Sequence, residues 1–536
     1  MKFFIPPQLL AALSFLQSDK CNDYAYRAVF IFFSLFLILP LWTITYLPLG
    51  DLPDHAGQLN VIMHYSEYAN EYRINWFTPY LVGYSISLFF GIFFSATTAL
   101  KITYSLAVLA VPIATASLLR NLQLNRYWVI PSFACAFSFS FYWGFFSYVV
   151  ATPIAIAFYA FCVNYGRTSQ NIKTAVIAAL FSALLFFAHA MAWAFSMMVA
   201  ACILFIYNNL KETKRKLLPF IALLPLVAYW VSINGATQSQ PIESGHYIEH
   251  ITSKLGNEIN YIIEQFKDRT AKHEHTQRAK ELLSFSIGRM PLLDFVALAL
   301  ILVFWPTLIG ARLTRNWRRW LPPLCAVGAF MVVPYWIFDT AYVNLRFAAF
   351  LIPLSVFLFE VNKTQSPVEQ YGPVSFAARF LLGLSITYVL LAGNYRTIAS
   401  FKSNDDDFKT ILSKMEPNKI VLALMFDQDS ALTFAPPYMH FGSYYQAEKG
   451  GVVIASFSHD PVAHNVPVRY QGAPWPLPDT WDPSKFNWQQ HHGDQYDYFL
   501  VRSKTLRDNL FSAVTGKVTL EAKQGDWLLY KNDKSL

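Results

Sequence analysis

Long apolar runs alternate with short basic segments over the first three quarters of the chain. The runs at 28–47, 101–119, 127–142, 147–164, 173–190, 191–208, 217–234, 291–310, 320–338, 345–361 and 374–393 each approach the ~20 residues that a helix needs to cross a bilayer. The pattern predicts a polytopic α-helical membrane protein with about eleven transmembrane helices. The connecting loops fall into two sets. One set holds Arg120 and Arg126, Arg167 and Lys173, Lys211 to Lys216, Arg312 to Arg319, and Lys363, and the positive-inside rule assigns it to the cytoplasm. The other set is external: 51–75, the turn Tyr142–Gly144, the link at His189, 234–290, 339–344 and everything after Asn394. The stretch Trp76–Thr98 is apolar enough to cross. Lys2, Lys20 and Arg27 precede the first run and only Arg73 follows it among acids, so the N-terminus is placed inside. The stretch 76–98 then reads as a re-entrant or surface-lying hairpin, which Pro79, Gly83 and Gly91 tolerate.

Beyond residue 394 the period changes. Strands are predicted at 419–426, 452–457, 496–502, 518–522 and 527–531, with helices at 408–415 and 504–513, the pattern of a small soluble α/β domain. The Pro- and Trp-rich segment 461–488 fits no element. The domain reading is a cytoplasmic tail at 1–27, a transmembrane module at 28–393 with external loops 48–100 and 235–290, and an extracytoplasmic α/β domain at 394–536. Within the second loop, 248–266 carries apolar residues at helical spacing and predicts an amphipathic helix over the membrane face.

Composition strengthens the membrane assignment and narrows the chemistry. Hydrophobic residues are 54% of the 536 and charged residues 14%, with mean hydropathy +0.31, against about 25% charged in soluble domains. The net charge of +8 sits in the short loops that encode orientation, and implies no nucleic acid. Early apolar residues are broken by Pro6 and Pro7 with no small-residue cleavage pattern after them, so the first run is expected to be an uncleaved anchor. The five cysteines form no CxxC pair and read as small core residues. Walker A, G-x-S-x-G and H-E-x-x-H patterns are absent, and no charged residues line up inside the spans as an ion relay would require. All twelve histidines fall in external loops or the C-terminal region.

Candidate chemistry concentrates where the chain leaves the first run, at Gly50-Asp51-Leu52-Pro53-Asp54-His55. Pro53 makes Leu52 extended and lets Asp54 begin a helix. That helix reads amphipathic, with Leu59, Ile62, Met63 and Ser66 on one side, and is expected to lie flat on the membrane with Asp54 at the mouth of the protein. A carboxylate in a confined, partly dry site can take the proton of an attacking hydroxyl. Asp51 and Asp54 with His55 could instead hold a divalent metal ion. Either Asp could also simply cap the helix or bond loop amides. Arg346, in Asp339-Thr340-Ala341-Tyr342-Val343-Asn344-Leu345-Arg346, opens a run at the external surface, where its fork of donors suits a lipid phosphate; Tyr342 lies beside it. His189, at an external turn, is a further candidate for the cavity lining. The aromatic turn Phe141–Tyr148 reads as an interfacial belt or a sugar-stacking surface, and Pro436–His440 with Tyr444 and Tyr445 as loop packing or an acceptor contact.

Three features resemble the GT-C superfamily of integral-membrane glycosyltransferases, which includes the protein mannosyltransferases and the lipid A aminoarabinose transferases. Acidic residues, here Asp51 and Asp54, follow the first span; an apolar interfacial segment, here Trp76–Thr98, precedes the second; and a soluble external α/β domain follows the last. The resemblance implies a sugar donor on a polyprenyl phosphate, bound at the bilayer, and a glycan, lipid or protein acceptor outside the cytoplasm. It implies an Asp of the first loop, here Asp54 or Asp51, as base or metal ligand, and Arg346 at the phosphate. Among the residues themselves Asp54 is the first choice for base and Asp51 for support or metal, with His55, His189 and Tyr342 as further candidate substrate contacts. A bacterial inner membrane with an external site is the expected location. A lipid-linked glycan flippase and a non-catalytic envelope-glycan assembly subunit are the alternatives from other function classes.

Overall fold

The computed structural model describes residues 19–235, 310–336, 340–361 and 373–534, the last with short gaps at 455, 460–466, 473–475, 480, 506–509 and 515, together with 281–282, 285–286 and 305–306. The expected elements at 248–266 and 291–310, the bulk of loop 235–290, and Asp339 lie outside the described residues.

Five stretches among the described residues are long and apolar enough to cross a membrane: Asp23–Trp42, Ala96–Leu122, Phe146–Arg167, Ala190–Tyr207 and Ala377–Lys414. The protein is thus a helical integral-membrane protein. Local sequence explains where these helices begin and end. Ser95 caps Ala96–Leu122 by accepting from the Thr98 amide, and Gln123 closes it in the left-handed conformation at φ 58°, as a C-terminal cap does. Asn171 and Thr174 form a capping box at Ile172–Ala188. His189 then breaks the chain with an extended backbone before Ala190–Tyr207.

Several expected spans differ from single helices. The run 127–142 is a 3-10 turn Arg126–Val129 followed by short helices Ile130–Cys135 and Phe139–Trp143. The run 345–361 is a 3-10 segment Asn344–Phe350, a five-residue helix Leu351–Ser355 and a further 3-10 turn. Pro131 and Pro353 remove helix donors there. Both runs are buried in protein, where irregular backbone at membrane depth is tolerated. The run 217–234 is divided between Leu210–Ile221 and Leu224–Gly235. The ambiguous segment 76–98 holds helix Leu81–Gly91, of 11 residues, and the start of Ala96–Leu122; at 1.5 Å per residue the first reaches about 16 Å and cannot cross a ~30 Å core.

Basic residues of the loops at 120–126, 167–173, 211–216 and 312–319 meet at one end of the bundle. Arg126 pairs with Asp23, Arg167 donates to the Asn121 carbonyl, and Arg318 reaches the carbonyls of Phe205 and Asn208. Lys216 is buried against the carbonyls of Tyr165, Gly166 and Thr168, where a cation satisfies the last acceptors of a helix.

The C-terminal region carries a five-stranded sheet in the order Val452–Ile454, Ile420–Met425, Tyr498–Arg502, Trp527–Asn532, Val518–Gln524. The first three strands are parallel and the last two antiparallel to their neighbours. Helix Lys402–Lys414 packs on it through Phe408, whose ring meets Trp527 and Phe441, both at 4.9 Å. Three ties bind this domain to residues 45–74. Strand Tyr72–Ile74 pairs antiparallel with Val468–Tyr470. Asp405, in the run of acids that reads from sequence as a polar junction, is buried and accepts from the amides of Thr45 and Tyr46 at 2.9 and 2.8 Å. Short helix Tyr444–Lys449 lies against helix Leu52–Met63, where Asn60 donates to the Gln446 carbonyl at 2.8 Å.

That last contact changes the expectation for the loop helix. Leu52–Met63 does not lie flat on a bilayer with one face wet: ten of its twelve residues are buried between the bundle and the C-terminal domain. It also starts two residues earlier than expected, with Pro53 in its first turn and Asp51 at the cap position.

Candidate active site

Asp51 stands at the head of this helix without capping it through its side chain, so its carboxylate is turned elsewhere. Its backbone is fixed by the aromatic turn: the Asp51 amide donates to the Trp143 carbonyl at 2.8 Å, and the Gly50 amide to that of Tyr142 at 3.4 Å. Gly144 makes this approach possible. Its φ is +81°, and a Cβ there would lie 2.6 Å from the Leu52 nitrogen and 2.8 Å from that of Asp51. Only glycine meets both conditions without strain. The Asp51 carboxylate also accepts from the Trp143 side chain and feels the positive charge of Arg346.

Asp54, one turn on, faces the C-terminal domain. One oxygen accepts from the Ser443 hydroxyl; the other accepts from the Phe457 amide at 3.0 Å and meets His440 Nδ1 at 3.3 Å. Its side chain is 0% exposed, against 12% for Asp51. Burial, followed by the charge of Asp54, pushes the Asp51 carboxyl well above the usual carboxylate range. Burial raises Asp54 too, while His440, Ser443 and the Phe457 amide pull it back. The environments of the two acids therefore differ. Asp51 has a raised pKa and lies beside Trp143 and the charge of Arg346, whereas Asp54 is bonded by Ser443, Phe457 and His440. Asp54, expected from sequence as first base, is the more enclosed of the two acids, and Asp51 keeps the more exposed carboxylate.

Trp143 and Tyr342 meet with ring centroids 3.9 Å apart and planes tilted by 44°, and they form one wall of a cavity of about 680 Å³. Phe139, Phe434, Tyr335 and Trp481 add further aromatic surface, and Glu281 and Asp429 contribute carboxylates. Tyr342 holds a left-handed backbone at φ 60°, strained for a bulky residue and maintained by packing on Trp143 and Tyr335.

Arg346 is buried, with its guanidinium 3.6 Å over the Phe145 ring and one terminal nitrogen donating to the Ala341 carbonyl at 3.2 Å. Its Nε has no partner. The neighbouring Tyr148 hydroxyl is likewise buried and unpartnered. His189 joins this group: its ring lies 4.7 Å from Tyr80 and 5.0 Å from Tyr148, and its Nδ1 accepts from the Met191 amide. A buried cation with so few acceptors is a ready site for an anion. His55 faces the other way, bonded to the Tyr84 hydroxyl at 2.6 Å; burial and then His440 push its pKa down to about 3, so it works as a neutral group.

Of the expected site residues Tyr342 lines the cavity; Asp51 touches its wall through Trp143, Arg346 and His189 lie behind it around Phe145 and Tyr148, Asp54 faces the C-terminal domain, and His55 turns to Tyr84 and Phe146 of the bundle. His440, Ser443 and Phe457 are the additions that sequence reasoning missed. His440 ends a segment singled out for its aromatic and proline content, but nothing local marks a contact with a residue 386 positions earlier. The donor set does not suit a metal ion at Asp51 and Asp54. The two nitrogens of His440 turn to different carboxylates, Nδ1 to Asp54 and Nε2 toward Asp51 at 3.9 Å, and Asp54 is already bonded. Among the described residues no three His, Cys, Asp or Glu side chains converge for one.

No protein-family model matches the chain, and no curated protein matches it. Among solved structures, ArnT from Cupriavidus metallidurans bound to undecaprenyl phosphate aligns over 96% of this chain and 98% of its own, with 9% identity and a TM-score of 0.50. The arabinofuranosyltransferase AftD from Mycobacteria aligns over 95% of this chain and 40% of its own, with 13% identity and a TM-score of 0.44. The chain has a GT-C-like fold.

Proposed function

We propose that the protein is a glycosyltransferase that moves a sugar from a polyprenyl-phosphate donor to a glycan, lipid or protein acceptor outside the cytoplasm, inverting the anomeric carbon. The observation that carries this reading is a buried Asp51 that feels the charge of the under-bonded Arg346 and is bonded to Trp143, whose ring lines an aromatic-walled cavity. The undecaprenyl phosphate bound to ArnT supports the lipid half of it. The gathering of basic residues at the opposite end of the bundle supports a cytoplasmic face there and an external site, in a bacterial inner membrane.

In this mechanism the acceptor hydroxyl enters over Trp143 and Tyr342, whose faces suit a sugar ring. Its oxygen attacks the anomeric carbon while Asp51 takes its proton. The bond from that carbon to the phosphate oxygen breaks, and its electron pair leaves with the polyprenyl phosphate, where Arg346 offsets the developing charge. Asp51 acts only when ionised, so the rate rises with pH through its raised pKa rather than through the ordinary carboxylate range.

Native mass spectrometry of detergent-purified protein with added undecaprenyl phosphate tests the lipid half, beside Arg346→Ala. Losing a charge-assisted bond worth about 1.5–3 kcal/mol weakens binding by roughly 10- to 150-fold. Equal binding in the two proteins removes Arg346 from the phosphate. Asp51→Asn tests the chemical half: it abolishes transfer from a polyprenyl-phosphate sugar while the protein stays folded, and retained transfer removes Asp51 as base. Movement of a lipid-linked glycan with no new glycosidic bond would replace the reading with a flippase.

A further inference from the structure

We infer that His440, carried by the C-terminal domain, is a positioning residue for Asp51: Asp54 holds it through Nδ1, and its Nε2 receives the proton that Asp51 takes from the acceptor. This rests on the glycosyl-transfer reading and extends it to a residue outside the membrane module.

The geometry comes first. His440 is 8% exposed, with its ring 4.6 Å from that of Phe457. Nδ1 lies 3.3 Å from Asp54 Oδ2 and Nε2 lies 3.9 Å from Asp51 Oδ1. A carboxylate can only accept, so the Asp54 contact places the hydrogen of a neutral imidazole on Nδ1 and leaves the Nε2 lone pair toward Asp51. Ser443, three residues on, fixes the other oxygen of Asp54, and the Phe457 amide fixes the same oxygen that faces His440. Asp54 is thus locked from three sides in the orientation that aims the imidazole. The 3.9 Å separation is longer than a hydrogen bond, and such contacts tighten when substrate closes a site.

The groups facing this unit are few. Around His440 stand Asp51, Asp54 and the neutral His55. Around Asp51 stand Asp54, Arg346, the Trp143 side chain, and the hydroxyls of Tyr104 and Tyr342. The proton then has a defined route. It leaves the acceptor oxygen for Asp51 as the new glycosidic bond forms and the phosphate departs with its electron pair. It then passes to Nε2, giving an imidazolium between two carboxylates, an arrangement in which each charge has an opposite neighbour. Asp51 is left ionised for the next acceptor, and the imidazolium loses its proton to water after the products leave.

An infrared pH titration of the purified protein, needing no substrate, tests this. The carboxylic-acid band of Asp51 is identified by its loss in Asp51→Asn. In His440→Gln the imidazolium form is gone, so the proton stays on two neighbouring buried carboxylates. The midpoint of the Asp51 band is expected to move to higher pH by about one unit or more, and the acid limb of the transfer rate moves with it, with kcat falling about tenfold and KM unchanged. An unmoved midpoint, even with lowered thermal stability, overturns the proposal and leaves His440 as a tie between domains. If His440→Gln does not purify folded, nitrogen-15 spectra of histidine-labelled wild type decide. Titration of the His440 nitrogens together with the Asp51 band supports the proposal, and a His440 that stays neutral through that midpoint overturns it. A shifted midpoint in a protein with no sugar transfer would sink the glycosyltransferase reading alone.

Discussion

Replacing Gly144 with alanine perturbs the site through backbone alone. The added Cβ lies 2.6 Å from the Leu52 nitrogen, and ordinary contact begins near 3.4 Å, so the two chain segments must part by about 0.8 Å. The left-handed φ of +81° adds about 1 kcal/mol for a residue with a side chain. The movement falls on the amides of Asp51 and Leu52, and it stretches the 2.8 Å bond from Asp51 to the Trp143 carbonyl. A displacement of about 1 Å at a reacting group lowers the rate on the order of 100-fold. The assay is the initial rate of transfer from a polyprenyl-phosphate sugar, with apparent Tm measured in parallel. Gly328→Ala serves as control, because a Cβ at Gly328 meets nothing within 4 Å and alanine favours its helix. Gly144→Ala is expected to lose about two orders of magnitude in rate with little change in Tm, while Gly328→Ala keeps full rate. A Gly144→Ala protein as active as wild type would show that the aromatic turn does not set the position of Asp51.

Asp54→Asn removes the like charge beside Asp51, which lets Asp51 ionise at lower pH; the acid limb of the pH–rate profile should move to lower pH, as rates at matched pH values will show. The same change breaks part of the Ser443, Phe457 and His440 contacts and should lower stability by about 1–3 kcal/mol, read as a drop in apparent Tm. Asp405→Ala leaves the amides of Thr45 and Tyr46 buried and unpaired, a loss of about 2–5 kcal/mol; limited proteolysis should then cut the chain before helix Lys402–Lys414 faster than in wild type.

The legible parts of this protein are those that local chemistry marks. Apolar runs flanked by Arg and Lys located the long helices Ala96–Leu122 and Phe146–Arg167 to within a few residues, and alternation located strands such as Ile420–Met425 and Trp527–Asn532. Carboxylates after a span drew attention to Asp51, and an Arg at the head of an apolar run to Arg346. Apolarity does not report regularity, however: 127–142 and 345–361 are as hydrophobic as their neighbours, yet they are broken pieces shielded by other helices. Nor does a sequence distinguish Asp51 from Asp54. Their difference comes from Ser443 and Phe457, 389 and 403 positions away, and from Gly144, whose lack of a side chain carries no sign of which amide needs the space.

The ties between the first loop and the C-terminal domain also set a timetable. Ribosomes add about 5–20 residues per second, so Asp54 enters the membrane environment roughly 20–80 s before Ser443, 389 residues later, can reach it. Throughout that interval helix Leu52–Met63 lacks one of the two surfaces that bury it, and Asp51 has no imidazole beside it. A chain cut short between residue 394 and Ser443 carries every apolar run and both acids but lacks the partners of Asp54. The surroundings of both acids are thus completed only once the chain beyond the last apolar run has been made.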